Sequence, residues 1–394
     1  PRLQEAIPEA SSREDGEEET AEEETEDDVR RDDDAGNDGE AVDDAGTAVP
    51  IPLIIDTDIG DDIDDAFAIG LALLLQRKGL VNLMYILTSG CGNHEKRAGL
   101  ICRLQLSVFG EICVPIVLGV TPGKSNCDYM DLGAMELNHV AMCSTFDARH
   151  KEMREAINSS DPAVTILSIG YLNNIAALDI CSTQCKLVLM GGCFGTSFDG
   201  KQEHIAEYNV RKDAPSWRNM LARSWADVLV VPLDIAGNCR IPAGMWSHFL
   251  HAEKPWAVEL KSMYNTWHAS NTARHSAGHP ILRMTQNKTV SSVQFDSSAL
   301  FCCFPRLVQQ HVKVKRSAIR IDSDGTTNFA VSGSEPVRIA HQWQNGGLAG
   351  FQNWFMQSLD VGRASDIGKN QQDQDDFAIQ VMIQNHLAQL RSYQ

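Results

Sequence analysis

Ile51-Pro-Leu-Ile-Ile-Asp-Thr-Asp-Ile-Gly-Asp-Asp-Ile-Asp-Asp-Ala66 decides how this chain is read. Residues 51–55 form a continuous apolar run, the pattern of a strand buried on both faces of a parallel sheet. The run passes directly into aspartates at positions 56, 58, 61, 62, 64 and 65. A helix is predicted over 64–76, and one or two acids at its start suit the positive end of its dipole. Capping does not explain all six. Carboxylates crowded at one strand tip repel one another and have raised pKa values unless a cation lies among them. Oxygen donors clustered without His or Cys point to Ca2+ or Mg2+ rather than zinc. The plainer alternative, a solvated acidic loop, fits poorly beside a fully apolar strand.

Outward from this segment, short apolar runs keep alternating with longer helical ones. Further strands are predicted at 83–87, 115–118, 164–169, 187–190 and 228–233, with helices at 95–109 and 214–224. The alternation predicts an α/β fold: an open, doubly wound, mostly parallel sheet of Rossmann-like type. A small C-terminal β-hairpin is expected over 312–343, turning at Asp322-Ser-Asp-Gly325, with helices after it. Residues 50–394 are read as one catalytic domain.

The 394-residue chain carries 53 acidic and 34 basic side chains, a formal net charge of −19. Residues 1–49 hold 20 of the acids against 4 Arg, a net of −16, so the rest is nearly neutral. That acidic stretch has too few large apolar side chains to offset its ordering entropy, and is read as a disordered leader. No basic patch suggests nucleic acid as a partner. No apolar run approaches the roughly 20 residues that span a bilayer, so no membrane partner is expected either. Eleven cysteines, an odd number without a CxxC pair, argue against a disulfide framework or a thiolate zinc site. A reducing, cytoplasmic location follows as the expectation.

Asp56-Thr-Asp-Ile-Gly60, with Asp64-Asp65-Ala66 and an apolar helix, resembles the N-terminal signature of the nucleoside hydrolases, the inosine-uridine-preferring N-ribohydrolases. Further blocks follow in the family's order. Thr88-Ser-Gly-Cys-Gly-Asn93 is similar to the second-strand loop. Ile166-Leu-Ser-Ile-Gly-Tyr-Leu-Asn-Asn-Ile-Ala176 resembles the strand, turn and helix start that come next. Leu187-Val-Leu-Met-Gly-Gly192, Ala206-Glu-Tyr-Asn209 and Gln294-Phe-Asp-Ser-Ser-Ala299 match later blocks, so the resemblance spans about residues 50–335. It implies Ca2+-dependent hydrolysis of ribonucleosides to ribose and free base, within purine and pyrimidine salvage. By the same resemblance, Asp58, Asp65, Asp296 and the main-chain carbonyl of Ile169 would ligate the ion. Asp58 would also be the general base, and Asp56 would support this arrangement. Asp64, Asn93, Glu207 and Asn209 would hold the ribose hydroxyls, with Met190 lining the sugar pocket. A nucleoside is the expected small-molecule partner, and homo-oligomers are usual in the family.

The chain departs from the family pattern in three places. Two extra residues separate Gly60 from the paired aspartates. Alignment from the helix keeps Asp64 and Asp65 in register, whereas alignment from Gly60 would put Asp62 on the sugar and Ile63 on a ligand position. Phe295 stands where one branch of the family has a His that protonates the leaving base. Trp267 is then a candidate stacking wall, and His204, His268, His275 and His279 are candidate acids. The family's Asn before the Ala-Glu-Phe-Asn block has no counterpart, its spacing landing on Lys201. The preferred base would be set by loops within 120–150 and 240–285. Two other readings stay open: a non-catalytic binding protein on the same fold, and a haloacid-dehalogenase-type phosphatase, which also starts from a strand ending in Asp-x-Asp. The phosphatase expects Thr or Val where Gly60 stands.

Overall fold

The computed structural model describes residues 49–361, apart from 91, 122–128, 135–141, 179, 181, 277–289 and 331–334. The acidic stretch up to residue 48, the chain beyond 361 and His279 therefore lie outside the described residues, as does the His275 side chain.

The apolar runs become strands β1 (Ile51–Thr57), β2 (Val81–Thr88), β3 (Ile116–Leu118), β4 (Cys143–Thr145), β5 (Val164–Ser168), β6 (Cys185–Met190) and β7 (Asp227–Val231). Three more follow near the C-terminal end, β8 (Val312–Ile321), β9 (Thr327–Ala330) and β10 (Val337–Trp343). All ten form one sheet in the order β4-β3-β2-β1-β5-β6-β7-β10-β8-β9. From β4 to β10 every neighbouring pair is parallel, and the β10–β8 and β8–β9 pairs are antiparallel. The expected C-terminal hairpin forms around Asp322–Gly325, but it is no separate appendage. β10 pairs with β7, so the hairpin extends the main sheet.

Alternation along β1 shows why both faces are covered. Leu53 and Ile55 join one apolar cluster and Ile54 the other. The first face is packed by the helices Asp64–Arg77, His94–Phe109, Pro255–Ser276, Phe295–Phe301 and Gly347–Leu359. The second is packed by Phe146–Asn158, Asn173–Ala177 and Ala214–Leu221. Helix Asp64–Arg77 is buried from Asp64 through Leu75, so it is central to its layer. The seventh strand ends two residues earlier than its apolar run suggests. Pro232 has no N–H for the ladder, and Leu233 opens a short helix.

Strand order reverses between β1 and β5. The chain winds outward from β1 through β2, β3 and β4, and in the opposite direction from β5 through β6 and β7. Loops leave such a switch point in diverging directions, which opens a crevice beyond the carboxyl ends of the two strands.

Candidate active site

The aspartates stand at that switch point, beyond the end of β1. Asp58, Asp64, Asp65 and Asp296 are each under 5% exposed. Asp64 and Asp65 occupy the first turn of their helix, and Asp296 the first turn of helix Phe295–Phe301, so two helix N-termini converge on one point. Carboxylate oxygens of Asp64, Asp65 and Asp296 lie within 4.8 Å of one another. The Asp296 amide donates to Asp64 Oδ2 at 3.2 Å, and the Thr57 hydroxyl donates to Asp65 Oδ1 at 2.5 Å. Asp58 is not a member of this trio but feels it, since the charges of Asp65 and Asp61 act on its carboxyl. Asp64 and Asp65, the pair that the helix-based alignment keeps in register, are the two of the loop's acids that gather with Asp296. Ile63 is fully buried and serves as N-cap. Asp62 sits half-buried, its Oδ1 accepting the Ile63 amide at 2.7 Å.

Burial is the main cause of every perturbed carboxyl here. It raises Asp58, Asp64 and Asp296 well above the carboxylate range, reinforced by the negative charges of their neighbours. Burial lifts Asp65 to about 8, partly offset by the Thr57 hydrogen bond, and Asp62 to about 6. Asp56 is raised to about 7 by burial, against hydrogen bonds from Asn174 and Ser168. Asn174 Nδ2 donates to Asp56 Oδ1 at 2.7 Å and to the Thr88 carbonyl at 3.0 Å, tying β1 to β2.

One cation beside the cluster is supplied by the chain itself. Arg97 is wholly buried. Its guanidinium donates to the carbonyls of Asp58 and Ile59 and to Asp61 Oδ1, the last at 2.6 Å. Arg97 shares a helical stripe with Leu100, Ile101, Leu104 and Val108, all buried. A charged residue on an apolar stripe was the available signal.

Space is as restricted as charge. Gly170 follows Ile169 beyond β5, and a Cβ there would stand 2.4 Å from Ser89 Oγ and 2.7 Å from Asp58 Oδ1. Glycine is needed for this close approach rather than for its dihedral freedom. Gly170→Ala is expected to lower stability by about 1–3 kcal/mol. Urea unfolding checks this, and an unchanged midpoint would show that the loop yields freely.

The sugar-binding candidates are only partly gathered. Glu207 caps helix Tyr208–Lys212, accepting the amides of Asn209 and Val210, and it also accepts the Gly192 amide at 3.2 Å. Asn209 Nδ2 donates to the carbonyls of Ile169 (3.2 Å) and Met190 (3.3 Å), joining the ends of β5 and β6. Met190 closes β6 and is buried. Asn93 is exposed at the N-cap of helix His94–Phe109, with a left-handed backbone (φ 57°) and no side-chain cap bond. Its loop adjoins the acids: a Cβ on Gly90 would be 3.6 Å from Asp58 Cβ.

Phe295 is almost fully buried and meets Phe198 edge-on at 5.7 Å, an apolar contact with no proton to give. Trp267 is buried against Tyr264. His204 Nε2 lies 2.6 Å from the Thr327 carbonyl, so the β8–β9 hairpin holds it. His268 packs against Tyr264. Lys201 is exposed. Two surface cavities, one lined by Trp225, Asp227 and Arg338 and the other by Pro52, Val81 and Pro162, sit by the amino ends of strands, away from this chemistry.

A doubly wound sheet with a buried acid cluster at its switch point, whose oxygens could hold a metal ion, defines the class of this protein. This chain belongs to the inosine-uridine preferring nucleoside hydrolase family, whose model matches residues 53–346. Among curated proteins it is 27% identical over 209 residues to the non-specific ribonucleoside hydrolase RihC of Escherichia coli O127:H6, covering 48% of this chain and 63% of that relative. The chain thus spans less than two thirds of that relative's length. Among solved structures it is similar to the purine-preferring ribonucleoside hydrolase from Gardnerella vaginalis (TM-score 0.58, 17% identity, 78% of this chain and 98% of that one). It is also similar to the type III effector protein XopQ complexed with adenosine diphosphate ribose (TM-score 0.59, 14% identity, 79% and 94%). Likeness at these identities speaks for the fold alone. Among the described residues, no helix is long and apolar enough to cross a membrane.

Proposed function

We propose that this protein hydrolyses the N-glycosidic bond of ribonucleosides, releasing ribose and the free base with the aid of Ca2+. The observation that carries this reading is the buried cluster of Asp58, Asp64, Asp65 and Asp296 beyond β1. So many buried acids stay ionised only beside a cation, and an all-oxygen donor set suits calcium. Asp58, Asp65, Asp296 and the Ile169 carbonyl would hold the ion, with Asp64 bordering both ion and sugar. When bound, calcium offsets the carboxylate charge and makes a nearby water more acidic.

The remaining steps belong to the chain. Asp58, ionised once the cluster is neutralised, takes a proton from the attacking water. The surrounding carboxylates stabilise positive charge developing on the sugar in the oxocarbenium-like transition state. Asp64, Asn93, Glu207 and Asn209 grip the ribose hydroxyls beside Met190, which favours ribose over deoxyribose. Phe295 donates no proton, so the base leaves without an acid from that position. Residues 50–394 form the catalytic domain in this reading. The free thiols among the described residues fit a cytoplasmic setting.

Reducing-sugar release from a panel of ribonucleosides and deoxyribonucleosides, with and without EDTA, tests the proposal. Turnover that is abolished by chelator, restored by Ca2+ and selective for ribose is expected. Phe295 favours one competing reading, a ligand-binding protein without turnover. Saturable nucleoside binding with no base release would support that reading instead.

A further inference from the structure

The loop after Gly60 and the segment that carries Tyr208 meet in space. Asp61 is one of the residues that lengthen the loop between Gly60 and the paired aspartates. Tyr208 stands where the family resemblance has Phe, between Glu207 and Asn209. The Tyr208 hydroxyl donates to Asp61 Oδ2 at 3.2 Å, and the Tyr171 hydroxyl donates to Tyr208 at 3.2 Å. Asp61 Oδ1 receives the Arg97 guanidinium at 2.6 Å, and the same guanidinium grips the carbonyls of Asp58 and Ile59. The Asp61 side chain is only 6% exposed and that of Arg97 is fully enclosed, so water screens neither charge effectively.

We infer that Asp61 is a positioning residue. With Arg97 and Tyr208 it forms a buried bridge that fixes the backbone of the Asp58 loop to the segment carrying Glu207 and Asn209. The bridge gives the extra loop residue a task and explains why a hydroxyl is present at 208. It also leaves Asp61 paired with Arg97, so the remaining acids are the ones free to face a cation. Asp61→Asn removes the carboxylate paired with Arg97, leaves that charge to Asp58 and Asp65, and so weakens cation binding. Tyr208→Phe removes one hydrogen bond whose value depends on the Asp61 carboxylate.

The inference rests on the proposed function for what the bridge positions, but the bridge itself can be read without metal or substrate. A double-mutant cycle on the whole protein uses Asp61→Asn, Tyr208→Phe and the pair together. Unfolding midpoints in EDTA give one arm, and calorimetric titration with CaCl2 gives the other. In EDTA, Tyr208→Phe is expected to lower the midpoint by about 2 °C in the wild-type background and to have little effect in the Asp61→Asn background. In the calcium arm, Asp61→Asn is expected to weaken affinity by about tenfold or more, with little further loss in the double variant. Additive effects in EDTA would overturn the bridge. Coupled midpoints with calcium affinity unchanged in Asp61→Asn would overturn its positioning role. Wild-type protein that takes up no calcium while the midpoints stay coupled would remove the metal reading and leave the bridge standing.

Discussion

Asp58→Asn is expected to lower kcat/KM for ribonucleosides by about a thousandfold or more, while the protein stays folded. The substitution keeps the size and shape of a side chain whose Oδ1 lies so close to Gly170 that a Cβ there would stand 2.7 Å from it. In the proposed mechanism it removes the proton acceptor, a contribution of about 10²–10⁴ in rate, together with one negative ligand for the ion. A second signature separates this from general damage. Asp58 is buried among Asp61 and Asp65, and its carboxylate is disfavoured by burial and by both neighbours. Replacing it by a neutral amide relieves that repulsion, so in EDTA the variant should melt at or above the wild-type temperature. Steady-state base release and thermal unfolding in EDTA make the comparison. Turnover within about tenfold of wild type would sink the proposed role of Asp58.

The second large effect is on stability, and its sign follows from the perturbed carboxyls. Asp65 moves from an ordinary value of 3.8 to about 8 and Asp56 to about 7, both by burial, while Asp58, Asp64 and Asp296 are also raised. The folded protein therefore keeps protons that the unfolded chain has already released. Stability associated with these groups is fully present below about pH 4 and falls as pH rises towards 8, because the native state binds the extra protons across that window. In EDTA the melting temperature should accordingly drop by about 10 °C between pH 5.5 and pH 8. In the proposed function saturating Ca2+ would supply the missing positive charge, so its stabilisation should be larger at pH 8 than at pH 5.5. Scanning calorimetry at the two pH values, with chelator and with calcium, checks both halves. A melting temperature in EDTA that is flat or rises with pH would contradict this account of the cluster.

Much of this protein can be read from local pattern. Apolar runs of four to eight residues separated by helical stretches locate the parallel strands, because a strand buried on both faces has no polar alternation to hide it. The aspartates from Asp56 near the end of β1 to Asp65 mark the site for a similar reason: carboxylates are costly to bury without partners. Strand β4, only three residues long, carries no such signal, and the end of β7 is set by Pro232 rather than by hydropathy. The hairpin turn is visible at Asp322–Gly325. Its membership of the main sheet is not, because β10 reaches β7 across more than a hundred residues of chain.

The division of labour among the acids was the part hidden from sequence. Spacing offers two alignments of the loop after Gly60 and shows neither the burial of Ile63 nor the approach of Asp64 and Asp65 to Asp296, which are matters of packing. Arg97 and Tyr208 reach Asp61 from 36 and 147 residues away. Such pairings are properties of the sheet order, not of any local run. By itself, then, the sequence determined that acids gather at the end of the first strand of an α/β sheet, since hydropathy and charge density act locally. Which acids face one another and which is neutralised by arginine was decided by tertiary structure alone, because low-dielectric pairing depends on distances that only the folded chain sets.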